Sequence, residues 1–208
     1  MLVITTNLAW LATEIRLYKY SVDKYPISQV TGIDKPQLIN IYQQLIDFYN
    51  LKIPSVQVPI VRDGKKFDLF NERELVHLED IKNLIQLDYM VQRLCIGFLL
   101  ICSCILLLLS KDRWKAVLKS LFRGSVIALI LVLLLAIWSL FDFEHMFLLF
   151  HTVSFSNPFW MLDPSRDYLI MLFPGKFFFD AALFGFIAVI AECVVIGGIT
   201  FSIVRLKR

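Results

Sequence analysis

The 208-residue sequence has little charge and few cysteines, and each shortage excludes a class of protein. Charged residues make up 19% of the chain, and the net charge of +3 forms no basic stripe of the kind that binds nucleic acid. The four cysteines all lie in hydrophobic stretches, which indicates small apolar packing residues rather than a disulfide framework. The Cys-Ser-Cys of residues 102–104 is not expected to bind a metal, and no cofactor is predicted.

Long apolar stretches are the dominant feature of the sequence. Hydrophobic residues make up 58% of the chain and the mean hydropathy is +0.67, too apolar for an ordinary soluble domain. Residues 94–110, 124–141 and 181–204 form uncharged or nearly uncharged runs of 17, 18 and 24 residues, the last interrupted only by Glu192. A helix needs roughly 20 apolar residues to cross a bilayer, so these stretches predict three transmembrane helices in an all-α membrane bundle.

Residues 1–13 are also uncharged and mostly apolar, but they make up only about two-thirds of a span. They have no basic region and no convincing small-residue cleavage site, so they do not have the pattern of a signal peptide. We interpret them as a partial first transmembrane helix whose beginning is missing. A short interfacial anchor is the alternative.

The distribution of basic residues predicts the topology. The loop 111–123 carries five basic residues against one aspartate, and the tail 205–208 is also basic. Both are expected on the cytoplasmic side by the positive-inside rule. Residues 14–93 and 142–180 are then extracytoplasmic, in a multi-pass protein of the bacterial plasma membrane. Two cytoplasmic ends require an even number of spans, which supports a fourth, N-terminal one.

The first extracytoplasmic segment has two helical patterns. Apolar residues at helical spacing over 38–49 predict an amphipathic helix that begins near Asp34. A second helix is predicted from residue 72 toward residue 87, because Asn71 and Glu74 form a variant of the capping box.

Between these helices lies a strand pattern. Pro54 and Pro59 bracket an alternating run over residues 55–61, and Asp63-Gly64 is typical of a hairpin turn. A pair of short strands is therefore predicted, which makes this segment a small α/β cap.

Two of the three histidines lie at the same predicted membrane interface. His77 precedes the span 94–110, and His151 follows the span 124–141. After His151 the chain mixes large rings with ionisable groups, namely Phe155, Phe159, Trp160, Asp163, Arg166, Asp167 and Tyr168. An interfacial aromatic belt explains the rings but not the charged residues among them, so this segment is predicted to be a functional site.

The same polar residues are compatible with other interpretations. His77 lies on an acidic helix, where a histidine is more often a solvated surface residue. Glu74-x-x-His77 and Asp142-x-x-His145 resemble the paired ligands of di-iron bundles, but the further carboxylates and the buried core of such a site are missing. No metal site is therefore predicted. Glu192, in the middle of a span, is a functional candidate by default.

Two blocks of the sequence resemble the lipoprotein intramolecular transacylases, the Lit family. The first runs from Phe70 to Lys82 and contains His77; the second runs from Phe150 through Trp160 to Pro174 and contains His151. The resemblance implies a four-helix membrane protein with an extracytoplasmic cap, in which these two histidines, and not His145, are catalytic.

The resemblance also implies a reaction and its partners. The enzyme would move the sn-2 acyl chain of a diacylglyceryl-lipoprotein onto the N-terminal cysteine amine of the same molecule, giving a lyso-form lipoprotein, with bilayer lipid around it. Histidine acid–base catalysis suits this reaction, because the amine loses a proton and the glyceryl oxygen gains one. The rings would exclude water, and Asp163 or Asp167 would orient an imidazole. Which histidine is the base stays open at this point.

A shared fold does not fix a shared reaction, so the sequence is compatible with a second function. The alternative is a non-enzymatic accessory subunit of a larger membrane protein complex, in which the histidines serve structure.

Overall fold

The computed structural model describes residues 1–56, 58–62 and 65–206 and is mainly helical. The elements, in chain order, are α1 (Leu2–Thr13), α2 (Ile15–Lys24), α3 (Ile27–Thr31), α4 (Lys35–Tyr49), β1 (Pro59–Arg62), β2 (Lys65–Asp68), α5 (Glu72–Leu109), α6 (Arg113–Ser154), a 3₁₀ turn (Pro158–Trp160), α7 (Tyr168–Leu172) and α8 (Gly175–Leu206). Within the described residues, α5, α6 and α8 are the helices long and apolar enough to cross a membrane. The predicted fold class, a helical membrane protein with a small α/β part, is confirmed.

Helix α5 begins at Glu72, as the capping pattern predicts, but it does not end near Leu87. It continues to Leu109, so that a polar first part and an apolar second part belong to one 38-residue helix. The sequence has no proline or glycine between residues 72 and 96, and nothing therefore stops the helix where its polarity changes. The prediction that this helix ends near Leu87 is therefore wrong.

Helix α6 is also longer than the apolar run that it contains. It takes in most of the expected loop 111–123 and continues to Ser154, with one non-helical residue, Asp142, at φ −153° and ψ 73°. His151 therefore lies in the last turn of a helix rather than in a loop. The rest of the segment 142–180 also contains the 3₁₀ turn, α7 and the start of α8.

The chain divides into two compact units. The membrane unit comprises Met1–Ala9, Asp88–Phe143 and Ala182–Arg208. Its core is built from small and β-branched residues, namely Ala128, Val132, Val189 and Cys193. Cys193 is buried and unpaired, in agreement with a packing role. Glu192 accepts a hydrogen bond of 3.0 Å from the side-chain amide of Asn7, so it has a polar partner inside the unit.

The site unit comprises Trp10–Leu87 and Glu144–Ala181 and has its own apolar core. Asp34 caps helix α4 by accepting a hydrogen bond of 2.8 Å from the backbone N–H of Gln37, as predicted. The ring of Tyr42, fully buried on α4, stacks on Tyr18 with 5.2 Å between centroids. The Tyr42 hydroxyl donates to the carbonyl of Leu172 at 2.7 Å. These contacts fix α4 against α2 and α7.

The two strands of the site unit are antiparallel, with Ile60 opposite Phe67. The predicted first strand began at Ser55, whereas the observed one begins at Pro59. The strand pairing ends where Pro59 meets Asp68, although the N–H of Leu69 still donates to the carbonyl of Val58 at 3.0 Å. The predicted turn at residues 63–64 lies outside the described residues.

A polar cluster ties the end of helix α2 to the start of α8 within the site unit. One carboxylate oxygen of Asp180 accepts hydrogen bonds from Tyr20 at 3.0 Å, Lys24 at 2.7 Å and Tyr25 at 2.5 Å. The Asp180 side chain is only 14% exposed, so these three donors largely replace its water.

We expect Asp180→Asn to destabilise the protein by about 1–2 kcal/mol, because charge-assisted hydrogen bonds become neutral ones. The measurement is the thermal midpoint of the purified protein in detergent. Asp23→Asn is the matched control, since Asp23 pairs with Lys35 on the open surface and should matter little. Equal midpoints for the two variants would contradict the role given to the cluster.

Candidate active site

The site unit brings His77 and His151 together. His77 lies in the second turn of α5 and His151 in the last turn of α6, and their ring centroids are 6.3 Å apart. Both side chains are buried, at 5% and 8% exposure. Two imidazoles at this separation can act on the same small group, directly or through one intervening atom.

The hydrogen bond of His151 fixes its tautomer. Its Nδ1 lies 2.8 Å from the backbone carbonyl of Phe147, one helical turn earlier. A carbonyl oxygen only accepts, so Nδ1 carries the proton and Nε2 keeps a lone pair. Burial lowers the pKa of His151, partly offset by the Phe147 carbonyl, so the ring is neutral near pH 7.

His77 is also neutral and has an unused polar atom. Burial is the main cause that lowers its pKa to about 4, with a further contribution from His151 and an opposing one from Asp80. Its Nδ1 is buried and has no hydrogen-bond partner among the described residues. A buried polar atom without a partner is costly, and such atoms are often found where a ligand binds.

Aromatic side chains surround the two imidazoles. Phe155 meets His77 edge-on at 4.9 Å and lies 5.5 Å from His151. Trp160 lies 5.1 Å from His151, and Phe147 4.1 Å from it. Of the predicted aromatic residues, Phe155 and Trp160 therefore contact the histidines.

The other two predicted rings lie beside different residues. The guanidinium of Arg73 sits 6.0 Å from the ring centre of Phe159, and Tyr168 is 6.1 Å from Phe67. Arg73 also donates to the carbonyl of Met161 at 3.2 Å. Phe159 and Met161 are thus held to the start of α5, and Tyr168 lies beside β2, so within the described residues neither of these rings contacts the imidazoles.

The expectation that Asp163 or Asp167 orients an imidazole is not met. Asp167 is buried and accepts from the side-chain amide of Asn71 at 3.0 Å and from the backbone N–H of Asp163 at 2.7 Å. Asp163 is exposed and accepts from the backbone and the hydroxyl of Ser165. Arg166, also exposed, lies 3.7 Å from Asp163 and 3.6 Å from Asp167. These groups shape the segment, and a backbone carbonyl orients His151 instead.

Glu74 is the residue that links the segment to helix α5. It is 1% exposed, and its two oxygens accept from the backbone N–H groups of Asn71 at 2.8 Å and Leu169 at 2.6 Å. Asn71 Oδ1 in turn accepts from the N–H groups of Arg73 and Glu74, which completes a capping box. Burial raises the pKa of Glu74, against the lowering effect of the donated N–H groups.

A second hydrogen-bonded contact between this segment and helix α5 lies one turn after His77. The side-chain amide of Asn157 donates to Asp80 at 2.7 Å, while Asn157 Oδ1 accepts from the N–H of Phe159 at 3.0 Å. Asp80 and Asn157 were not among the predicted site residues. The Asn-Pro pair at 157–158, typical of a turn, is the signal that could have drawn attention to Asn157.

The described residues contain no group of three or more His, Cys, Asp or Glu side chains arranged to hold a metal ion.

This fold is that of a membrane-integral transacylase of known structure. The chain aligns over its whole length with 91% of the membrane-integral lipoprotein intramolecular transacylase Lit from Bacillus cereus, with a TM-score of 0.81 and 23% identity. A structure of the same Bacillus protein with one histidine changed to arginine gives a TM-score of 0.76 at 22% identity, with 100% of this chain and 87% of that chain covered. At these identities the comparison shows the fold.

The sequence itself shows the family. Residues 1–178 match the family described as lipoprotein intramolecular transacylase Lit, and the chain belongs to that family. It is also 31% identical over 126 residues to an uncharacterized protein of Aquifex aeolicus. That match covers 60% of this chain and 52% of the Aquifex protein, so the chain spans about half the length of this relative.

We expect Glu74→Gln to lower the thermal midpoint in detergent. The free energy of unfolding should fall by about 1–3 kcal/mol, because one buried acceptor of a backbone N–H is replaced by a donor. Glu72→Gln is the control, as Glu72 lies in the same first turn of α5 but is exposed. An unchanged midpoint for Glu74→Gln would show that this carboxylate does not hold the two segments together.

Proposed function

We propose that this protein is an acyltransferase that moves the sn-2 acyl chain of a diacylglyceryl-lipoprotein onto the N-terminal cysteine amine of the same molecule. The observation that carries the proposal is the pair of buried, neutral imidazoles 6.3 Å apart among aromatic rings. Membership of the Lit family supports the reaction class.

His151 has the features of the base. Its Nδ1–H is held by the Phe147 carbonyl, which leaves the Nε2 lone pair available to take a proton from the attacking amine. A lowered pKa keeps this nitrogen unprotonated at neutral pH. The same nitrogen can then return the proton to the glyceryl oxygen, so that one proton moves from nitrogen to oxygen in each turnover.

His77 has the features of a neutral hydrogen-bond donor. With a pKa of about 4 it does not carry a positive charge, yet one of its ring nitrogens still bears a proton. A neutral imidazole can donate to the oxyanion that forms when the ester carbonyl is attacked. Its partnerless Nδ1 fits such a role, because the bond would form only with substrate present.

The substrate and the surrounding rings would supply much of the rest. The ester and the amine are tethered on one molecule, and good orientation of tethered groups contributes about 7–11 kcal/mol to lowering a barrier. Phe155 and Trp160 would keep water from the site, where it would hydrolyse the ester. Of the other residues of the segment, the buried Asp167 would support it, and Phe159, Asp163, Arg166 and Tyr168 would contact the lipoprotein.

We also propose a topology for this reaction. The basic loop 111–123 would lie in the cytoplasm, and residues 14–93 and 142–180 would lie outside it. Bacterial lipoproteins and bilayer lipid would then reach the histidines from the outer leaflet.

The first test co-expresses a diacylated reporter lipoprotein with wild type, His77→Ala, His151→Ala or His145→Ala. His145 is the matched control, an exposed histidine on the same helix as His151. We expect an N-acyl cysteine with a lyso-glyceryl group for wild type and His145→Ala, and an unmodified diester for the other two. The readout is fragmentation mass spectrometry, since the total mass does not change. An unmodified lipid in every strain with inserted protein would favour the accessory-subunit alternative.

The pH dependence tests the neutral state of the base. Because the pKa values of both histidines are lowered, protonation of the site requires a more acidic solution than for an ordinary histidine near 6.5. For purified enzyme acting on a synthetic lipopeptide, we expect the acid-side inflection in the pH profile of kcat to lie below pH 6.5. Phe155→Ser should admit water and move the inflection back toward 6.5. An acid-side inflection at or above 6.5 in wild type would contradict a buried neutral base.

A further inference from the structure

A groove in the site unit begins beside one of the rings that surround the two histidines. It has a volume of about 220 Å³ and is lined by Asp80, Asn83, Leu84, Leu87, Ser154, Phe155 and Ser156. Phe155 belongs to both places, since it also meets the His77 ring edge-on at 4.9 Å. The groove and the two imidazoles therefore share one side chain as their boundary.

Helical spacing places the groove on the His77 face of α5. Residues 77, 80, 84 and 87 follow one another at intervals of three or four, so their side chains lie along one stripe of the helix. Asp80 is the first residue after His77 on that stripe. The stripe then becomes apolar with Leu84 and Leu87, as a channel for a lipid-bearing molecule would be.

The Asp80 carboxylate has no ion-pair partner among the described residues. The described residues place no Lys or Arg within salt-bridge distance of it, whereas its neighbour Glu79 pairs with Lys82 at 2.5 Å. Oδ2 accepts from Asn157 at 2.7 Å, and Oδ1 accepts no hydrogen bond from the described residues. Asn157 therefore fixes the carboxylate of this groove residue, and its other oxygen is left without a hydrogen bond from the described residues.

We propose that Asp80 binds the α-amino group of the lipoprotein's N-terminal cysteine and presents it to the histidines, an assignment that rests on the proposed function. The amine arrives as an ammonium at neutral pH, since its pKa lies near 8, and a lone carboxylate in a groove is a matching acceptor. The bound ammonium first releases one proton to solvent. The neutral amine then attacks the ester carbon, and Asp80 stabilises the positive charge that develops on nitrogen.

The remaining steps balance without further reagents. The nitrogen, now bonded to the acyl carbon, gives a second proton to Nε2 of His151. The bond from the acyl carbon to the glyceryl oxygen breaks, and this oxygen takes that proton. An amide and a free hydroxyl result. Asp80 is a positioning and binding residue in this sequence and exchanges no proton of its own.

The test measures recognition of the amine apart from turnover. Two ether-linked lipopeptides that cannot transfer a chain, one with a free α-amine and one N-acetylated, are bound to purified protein in lipid nanodiscs at pH 7. We expect wild type to bind the free amine about ten- to a hundredfold more tightly, the range for a hydrogen bond to a charged group. Asp80→Asn should lose this preference, because the amide keeps an acceptor for Asn157 but not the charge.

Glu79→Gln is the matched control, one residue away on another face of the helix, and should keep the preference. On the ester substrate, Asp80→Asn should raise KM by a similar factor. Equal binding of the two lipopeptides by wild type, or an unchanged preference in Asp80→Asn, overturns the assignment. Failure of the proposed function is a separate result, namely amine-selective binding by wild type with no acyl transfer from the ester substrate.

Discussion

The buried carboxylate of Glu74 is the constraint on which the candidate site depends. Its two oxygens accept backbone N–H groups from the start of helix α5 and from Leu169 in α7. A carboxylate that is 1% exposed needs such donors, and these backbone groups need an acceptor. The Glu74 side chain thus sets where α5 begins. It thereby fixes the position of His77, one turn later, relative to the segment that follows His151.

Burial gives the two histidines their chemistry. In water each imidazole would be partly protonated near pH 7, and repulsion between two charges would separate them. Among aromatic rings both are neutral, so they can lie 6.3 Å apart, as the proposed roles of lone-pair base and hydrogen-bond donor require. The same rings would limit access of water, which the proposed acyl transfer to an amine requires. Under this proposal, packing and acid–base function are two consequences of one environment.

The sequence predicts the parts of this account that depend on local patterns. Apolar run length predicts the three long helices, capping residues predict the starts of α4 and α5, and two motif blocks identify His77 and His151. It does not predict that α5 continues to Leu109, because the helix propensity of the residues changes little at the point where their polarity changes. Nor does it predict the orientation of His151, since the acceptor is a backbone carbonyl that any residue at position 147 would supply. The partners of Asp167 and Asp80 depend on contacts between distant parts of the chain.

The most direct test of the central claim is a purified reconstitution. A synthetic diacylglyceryl lipopeptide with a ¹³C-labelled sn-2 acyl chain is incubated in liposomes with this protein alone, and the position of the label is read by fragmentation mass spectrometry. Transfer by the buried histidines predicts the label on the cysteine nitrogen with a free glyceryl hydroxyl, and no movement with His151→Ala. A label that stays on the ester, or that leaves as free fatty acid, would contradict the account.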